Sequence, residues 1–155
     1  MTSFQTKNEK GEKKSAESLY LAIALPLAAL LSSLILLPIE KILPYPYIIE
    51  EGIKAVFVLL ILTIPGKRTF QLQLSILIGL FFAFSENIFY LSNSNLYASP
   101  LIFIERLLLT STLHVFTILL MLFFSQKYRW IFPFALSLAI LIHYTYNRTI
   151  ASLLY

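Results

Sequence analysis

Two adjacent glutamates, two histidines and an asparagine form a set from which a hydrolase can be built: Glu50, Glu51, His114, His143 and Asn147. A positioned carboxylate takes a proton from water as a general base. An imidazole and a side-chain amide donate hydrogen bonds to a developing oxyanion. Lys54 follows the glutamate pair, Arg106 precedes His114, and Glu86 and Asn87 stand between these two groups along the chain. In the reading where glutamate activates water, no cofactor is needed. In a second reading His114, His143 and Glu50 make a two-histidine, one-carboxylate zinc set with a position open for water. The local H-E-x-x-H spacing of many zinc peptidases is absent. A third reading is a small ion- or proton-coupled transporter, its pathway lined by Glu, Lys and His. A short chain with no internal repeat weighs against it. A serine nucleophile has little support, because Ser85 precedes Glu86 outside any G-x-S-x-G context. The chain has no cysteine, which excludes disulfides and thiolate metal sites.

These residues are carried on unusually apolar elements. Of 155 residues, 58% are hydrophobic and 13% charged, and the mean hydropathy is +0.79. A soluble domain has about 25% charged residues. The expected fold is therefore an all-α membrane protein, a bundle of about five transmembrane helices. A span needs about 20 apolar residues, and five segments qualify: Leu19–Leu37, Tyr47–Ile64, Phe70–Leu91, Pro100–Phe124 and Trp130–Leu154. Residues 1–17 are polar and lysine-rich and read as a disordered cytoplasmic tail. Residues 18–155 form the transmembrane catalytic domain. No cleavage site follows the first apolar run, so it reads as a retained helix rather than a signal peptide. The connections are short, which makes sequential helices antiparallel neighbours.

Charge orients the bundle. Lys7, Lys10, Lys13, Lys14, Lys67, Arg68, Lys127 and Arg129 all fall on one side of this arrangement, while the other side holds Lys41 beside Glu40. The excess of cations on one side predicts a cytoplasmic N-terminus and an outer C-terminus, in a multi-pass protein of the cell membrane. It also accounts for the net charge of +4 without any nucleic-acid partner. Tyr45, Tyr47 and Trp130 fall where interfacial aromatics belong.

Within the spans, each ionised group costs at least a few kcal/mol near the bilayer centre and needs a partner, water or a function. Glu50, Glu51 and Lys54 lie on the second predicted span, Glu86 and Asn87 on the third, Arg106 and His114 on the fourth, His143 and Asn147 on the fifth. Most fall in the outer half of the bilayer, with His114 deepest, near the midplane. Residues four apart share a helix face, so Arg106, Thr110 and His114 form one stripe, with Thr117 nearby. His143 and Asn147 form another. Lys54 can pair with Glu50 or Glu51, and Arg106 with Glu86 or Glu105. On the third span Gly79, Phe82, Ala83 and Glu86 share a side on which small residues allow close packing. Glu105 and Arg148 read as interface residues.

The order of these motifs resembles the PrsW family of intramembrane proteases. Glu50-Glu51-Gly52-Ile53-Lys54 is similar to its E-E-x-x-K motif, and Phe82-Ala83-Phe84-Ser85-Glu86-Asn87 to its F-A-x-x-E-N. Arg106 followed by His114 resembles its arginine-then-histidine helix, and His143 to Asn147 its closing histidine helix. The resemblance implies a membrane-embedded endopeptidase acting on a membrane-anchored protein or peptide substrate; the activity known in the family is cleavage of membrane-anchored anti-sigma factors. The family is in turn similar to the type II CAAX-processing proteases. There the first paired glutamate, helped by a histidine, is thought to activate water, and a later histidine and asparagine to form the oxyanion hole. By matching position, the resemblance makes Glu50 the base, Glu51 its partner, and His143 and Asn147 the oxyanion donors. Glu86 stands where the CAAX helper histidine would be, and His114 is the candidate for that role.

Overall fold

The computed structural model describes residues 16, 18–32, 35–36, 42–65, 67–93 and 100–154. The described residues are all-α, with five helices. They are α1 (Ser18–Ser32), α2 (Pro46–Thr63), α3 (Arg68–Asn93), α4 (Pro100–Lys127) and α5 (Phe132–Leu154), with one 3₁₀ turn at Arg129–Ile131 before α5. The predicted N-terminal tail, the Lys41–Glu40 pair and the centre of the Ser92–Ser99 connection lie outside the described residues.

Prolines set several helix boundaries. Pro46 opens α2 and Pro100 opens α4, where a missing N–H costs nothing because no carbonyl precedes it in the helix. α2 ends because Pro65 follows Ile64. The proline ring drives its predecessor out of the helical region, and Ile64 is extended, with φ −73° and ψ 120°.

Side chains fasten the helix ends together. Gln71, in the first turn of α3, donates from Nε2 to the carbonyls of Ile61 and Ile64, at 3.3 and 3.4 Å. Its Oε1 accepts from Gln126 Nε2 of α4 at 2.9 Å. The end of α2, the start of α3 and the end of α4 therefore share one end of the bundle, so α2, α3 and α4 run antiparallel in turn. Lys67, Arg68, Lys127 and Arg129 all belong to this end. The described acids Glu50, Glu51, Glu86 and Glu105 lie on the far parts of their helices.

α3 and α4 make the closest helix pair. A Cβ built on Gly79 would lie 2.8 Å from Val115 Cα and 3.0 Å from its Cγ2, so the two backbones meet at a position only glycine can occupy. On α5 the inward stripe is Ala135, Ala139 and His143, all fully or nearly fully buried. The apolar core fills the half of the bundle nearer the Gln71 tie, with Val58, Ile61, Leu74, Ile78, Ile118, Met121 and Leu122. α1 adds Leu25 and Ala29 to it.

The outer surface carries many large apolar side chains. Leu60, Ile76, Leu80, Phe84, Leu108, Phe116, Phe123, Phe134 and Leu141 are all exposed. A soluble monomer rarely exposes contiguous apolar surface on this scale; lipid chains accept it. Two stretches, Arg68–Ile88 and Phe103–Lys127, are long and apolar enough to cross a membrane. α2 has 18 residues, about 27 Å of helix, but carries Glu50, Glu51 and Lys54. Those three charges face the interior.

Candidate active site

Helix geometry brings the polar residues to one level. Counting 1.5 Å per residue from the Gln71–Gln126 tie, His114 lies about 18 Å along α4 and Glu86 about 22 Å along α3. Glu51 lies about 15 Å from Ile61 on α2, and His143 about 17 Å into α5. Four helices therefore deliver their ionisable groups to one layer above the apolar core. His114 joins this layer, although its position near the middle of its span predicted a deeper placement than its partners. The level of each helix is set by how its end is tied, and sequence distance from a predicted span end does not report that.

Lys54 is the junction. It is completely buried, and its ammonium donates to Glu51 Oε1, to His114 Nδ1 at 3.0 Å and to Thr117 Oγ1 at 3.1 Å. A lysine has three donors and no acceptor, so these three contacts use all of its hydrogen-bonding capacity. Thr117 passes its own proton to the His114 carbonyl, at 3.3 Å. The ring of Phe82 closes the layer from below, with its centroid 5.1 Å from that of His114 and 5.5 Å from the Lys54 ammonium.

The two imidazoles are held in opposite senses. His114 Nδ1 accepts from Lys54, so its proton sits on Nε2, which donates to Glu86 Oε2 at 2.5 Å. His143 Nδ1 donates to Glu51 Oε1 at 2.7 Å. That leaves His143 Nε2 directed at the Glu50 carboxylate, 3.7 Å from Oε2. The rings meet edge to face with centroids 5.5 Å apart. Glu51 Oε1 accepts from both Lys54 and His143, while its buried Oε2 has no hydrogen-bond partner among the described residues. Glu50 and Glu51 are adjacent, hence about 100° apart around α2, and face different partners.

The remaining predicted residues lie around this layer. Arg106 lies 3.9 Å from Glu86 Oε1, a looser contact than the one Glu86 makes with His114. Thr110 and the Tyr146 hydroxyl are 3.2 Å apart. Asn87 is buried and turns back to donate to the Ala83 carbonyl at 2.8 Å. Asn147 and Glu105 are exposed. On α5 the inward face passes from His143 to half-buried Tyr146, because a 3.6-residue period drifts away from a strict spacing of four. Arg148 is exposed and bonds the Tyr144 hydroxyl at 3.2 Å. Tyr47 touches Tyr45 edge-on and lies tilted beside His143 and Tyr144, with ring centroids 6.3 Å and 5.6 Å away.

One trio has the spacing of metal ligands. Glu50, Glu86 and His114 each offer an atom within 4.8 Å of the other two. Two carboxylates and an imidazole suit zinc, so the donor set fits a divalent cation. This trio contains Glu86 in place of the His143 of the sequence-based zinc set. Glu86 was legible in the sequence as a membrane-embedded acid, but nothing in its spacing linked it to Glu50. The tie through Gln71 and Gln126 escaped sequence reading altogether. Its only signal was a glutamine at each of two helix ends.

This layer of paired carboxylates and imidazoles belongs to a matched stretch of sequence. Residues 42–155, which include α2 to α5 and every residue of the layer, match the family described as PrsW family intramembrane metalloprotease. No curated protein and no solved structure matches the chain. With the family match spanning most of its length and the whole buried layer, the chain belongs to the PrsW family of intramembrane proteases.

Proposed function

We propose that the protein hydrolyses peptide bonds of membrane-anchored substrates with water activated by Glu50. The observation that carries this reading is the convergence of Glu50, Glu86 and His114 in one buried layer, with His143 Nε2 on the Glu50 side of it. Water entering this layer gives its proton to Glu50 as its oxygen attacks the scissile carbonyl carbon, and Glu50 returns that proton to the departing amine. Glu51 fixes the His143 ring through Nδ1. His143 turns its Nε2 edge toward the same space and serves there as a donor to the oxyanion. Asn147, exposed one turn further along α5, supplies the second donor to a substrate lying against that face. Lys54 fixes His114 as a donor through Nε2. The bundle spans the cell membrane five times with its N-terminus in the cytoplasm.

A second reading is supported by the donor trio and by the family's description as metalloproteases. Glu50, Glu86 and His114 would hold zinc, which would supply Lewis-acid polarisation of the scissile carbonyl. Enclosure by α2 to α5 and orientation of the His143 ring by Glu51 serve either case, whereas the Lys54 contact to His114 Nδ1 favours the first.

The test is cleavage of a single-span substrate by the purified protein in lipid. Glu50→Gln, and separately His143→Ala, are expected to lower the rate by about 10²-fold or more. Cleavage at the parent rate by either variant defeats the assignment. Metal content decides between the readings. Stoichiometric zinc with activity lost to a chelator supports the trio as a metal site, whereas active metal-free protein eliminates it.

A further inference from the structure

At the opposite end of the bundle from the catalytic layer, a cavity of about 450 Å³ opens between the ends of α2, α4 and α5. Leu59, Leu62 and Thr63 line it from α2, Ser125 from α4, Arg129 from the 3₁₀ turn, and Phe132 and Pro133 from the start of α5. Its size falls in the range of about 300–1,000 Å³ typical of small-molecule sites. The two hydroxyls in its wall are already committed: Thr63 donates to the Leu60 carbonyl and Ser125 to the Met121 carbonyl. The wall is therefore mainly apolar, with Arg129 the one charged residue among those that line it.

Charge and position say what fits. Arg129 shares this end with Lys67, Arg68 and Lys127, and no described acid belongs to this end. Arg68 and Lys127 lie over the rings of Phe123 and Tyr128, whereas Arg129 faces the cavity with no acidic partner among the described residues. Trp130 is 79% exposed and Tyr128 46%, which places this level where aromatic side chains meet lipid headgroups. Leu60 and Phe134, each next in sequence to a residue of the wall, are exposed.

We infer that this cavity binds an anionic phospholipid, its phosphate on Arg129 and an acyl chain against Leu59, Leu62, Phe132 and Pro133. A soluble anion would leave the apolar wall wet, and a zwitterionic headgroup would bring a cation into an end that already holds four. The bound lipid bridges α2 and α5, the two helices joined further along by the Glu51–His143 hydrogen bond. The inference depends on the membrane placement of the bundle and on no catalytic assignment.

Native mass spectrometry of the full chain in detergent, offered equal phosphatidylglycerol and phosphatidylcholine, tests it. Phosphatidylglycerol should be retained preferentially and should raise the melting temperature. Arg129→Gln should reduce that preference roughly five- to tenfold. Leu59→Trp keeps every cation but fills the cavity, and it should lose the lipid while circular dichroism still shows a folded bundle. Lys67→Gln, a charge change outside the cavity, should have a smaller effect than Arg129→Gln. The inference is overturned if both lipids are retained equally. It is also overturned if Lys67→Gln matches Arg129→Gln, since the attraction would then be a diffuse surface field. Complete displacement of the lipid by millimolar inorganic phosphate, with no effect of Leu59→Trp, would reduce the site to a bare anion contact.

Discussion

A lysine ammonium buried away from water is tolerated only when its protons meet acceptors and its charge meets an opposite one. Lys54 meets both conditions through Glu51, His114 and Thr117. Removing one member of such a pair leaves the other charge uncompensated and costs about 3–5 kcal/mol. Lys54→Met should therefore destabilise the fold by about that amount in unfolding measurements in detergent, and adding Glu51→Gln should recover much of the loss. Thr117→Val removes one neutral acceptor and should cost about 1 kcal/mol. Lys54 also bears on metal binding. Coordination through His114 Nε2 places the ring proton on Nδ1, where it confronts a second donor, the lysine. Lys54→Gln offers that proton a carbonyl oxygen instead. If the trio is a zinc site, this variant should bind zinc more tightly than the parent in competition with a chelating dye. Pairing partners were partly legible at this scale. Spacing along α2 showed that Lys54 reaches Glu50 or Glu51, but not that it also reaches α4, since contacts across 60 residues leave no periodic trace.

Helices determine whether those side chains meet at all. Glu86 and His114 lie on different helices and touch because Gly79 lets the α3 backbone rest on Val115, next to His114. Gly79→Val places a branched side chain against backbone that cannot rotate away, and the helices must separate. We expect a loss of about 1–3 kcal/mol and a larger fall in cleavage than stability alone explains, because Glu86 and His114 move apart. Gly52 provides the contrast. Nothing lies within 4 Å of a Cβ built there, and alanine is a better helix former by about 1 kcal/mol. Gly52→Ala should leave cleavage intact and raise the melting temperature, although it lies between Glu51 and Lys54. Both glycines stand beside motif residues in the sequence. Which one is a packing contact depended on what lies opposite, and only the assembled helices show that.

Across the whole molecule the described acids all lie away from one end of the bundle, and Lys54, Arg106 and Arg148 lie on the acids' side. Lys67, Arg68, Lys127 and Arg129 share the end tied by Gln71 and Gln126, and the acids lie toward the other end. A bundle with this distribution, inserted by the bias of cations toward the cytoplasm, should hold residues 67 and 43 on opposite sides of the membrane. The chain has no cysteine, so single cysteines report this directly. In right-side-out vesicles of intact cells, a cysteine replacing Leu43 should react with an impermeant maleimide, and one replacing Lys67 should react only after lysis. The reverse pattern would invert the proposed orientation.

Hydropathy and proline placement were enough to locate α2 to α5 within a few residues, because lipid solvation and the missing proline N–H act locally on the chain. The same logic singled out the charges: an ionised group in an apolar run stands out whatever the fold. Motif order was enough to indicate the family, since it needs no coordinates. What required the tertiary structure was depth and partnership. His114 was expected below its partners and instead shares their layer, because glutamine ties and a glycine contact set the vertical offset of each helix. Which imidazole nitrogen faces the glutamates, and that Glu86 joins Glu50, follow from the same offsets. They are relations between helices, and the linear pattern of any one helix does not contain them.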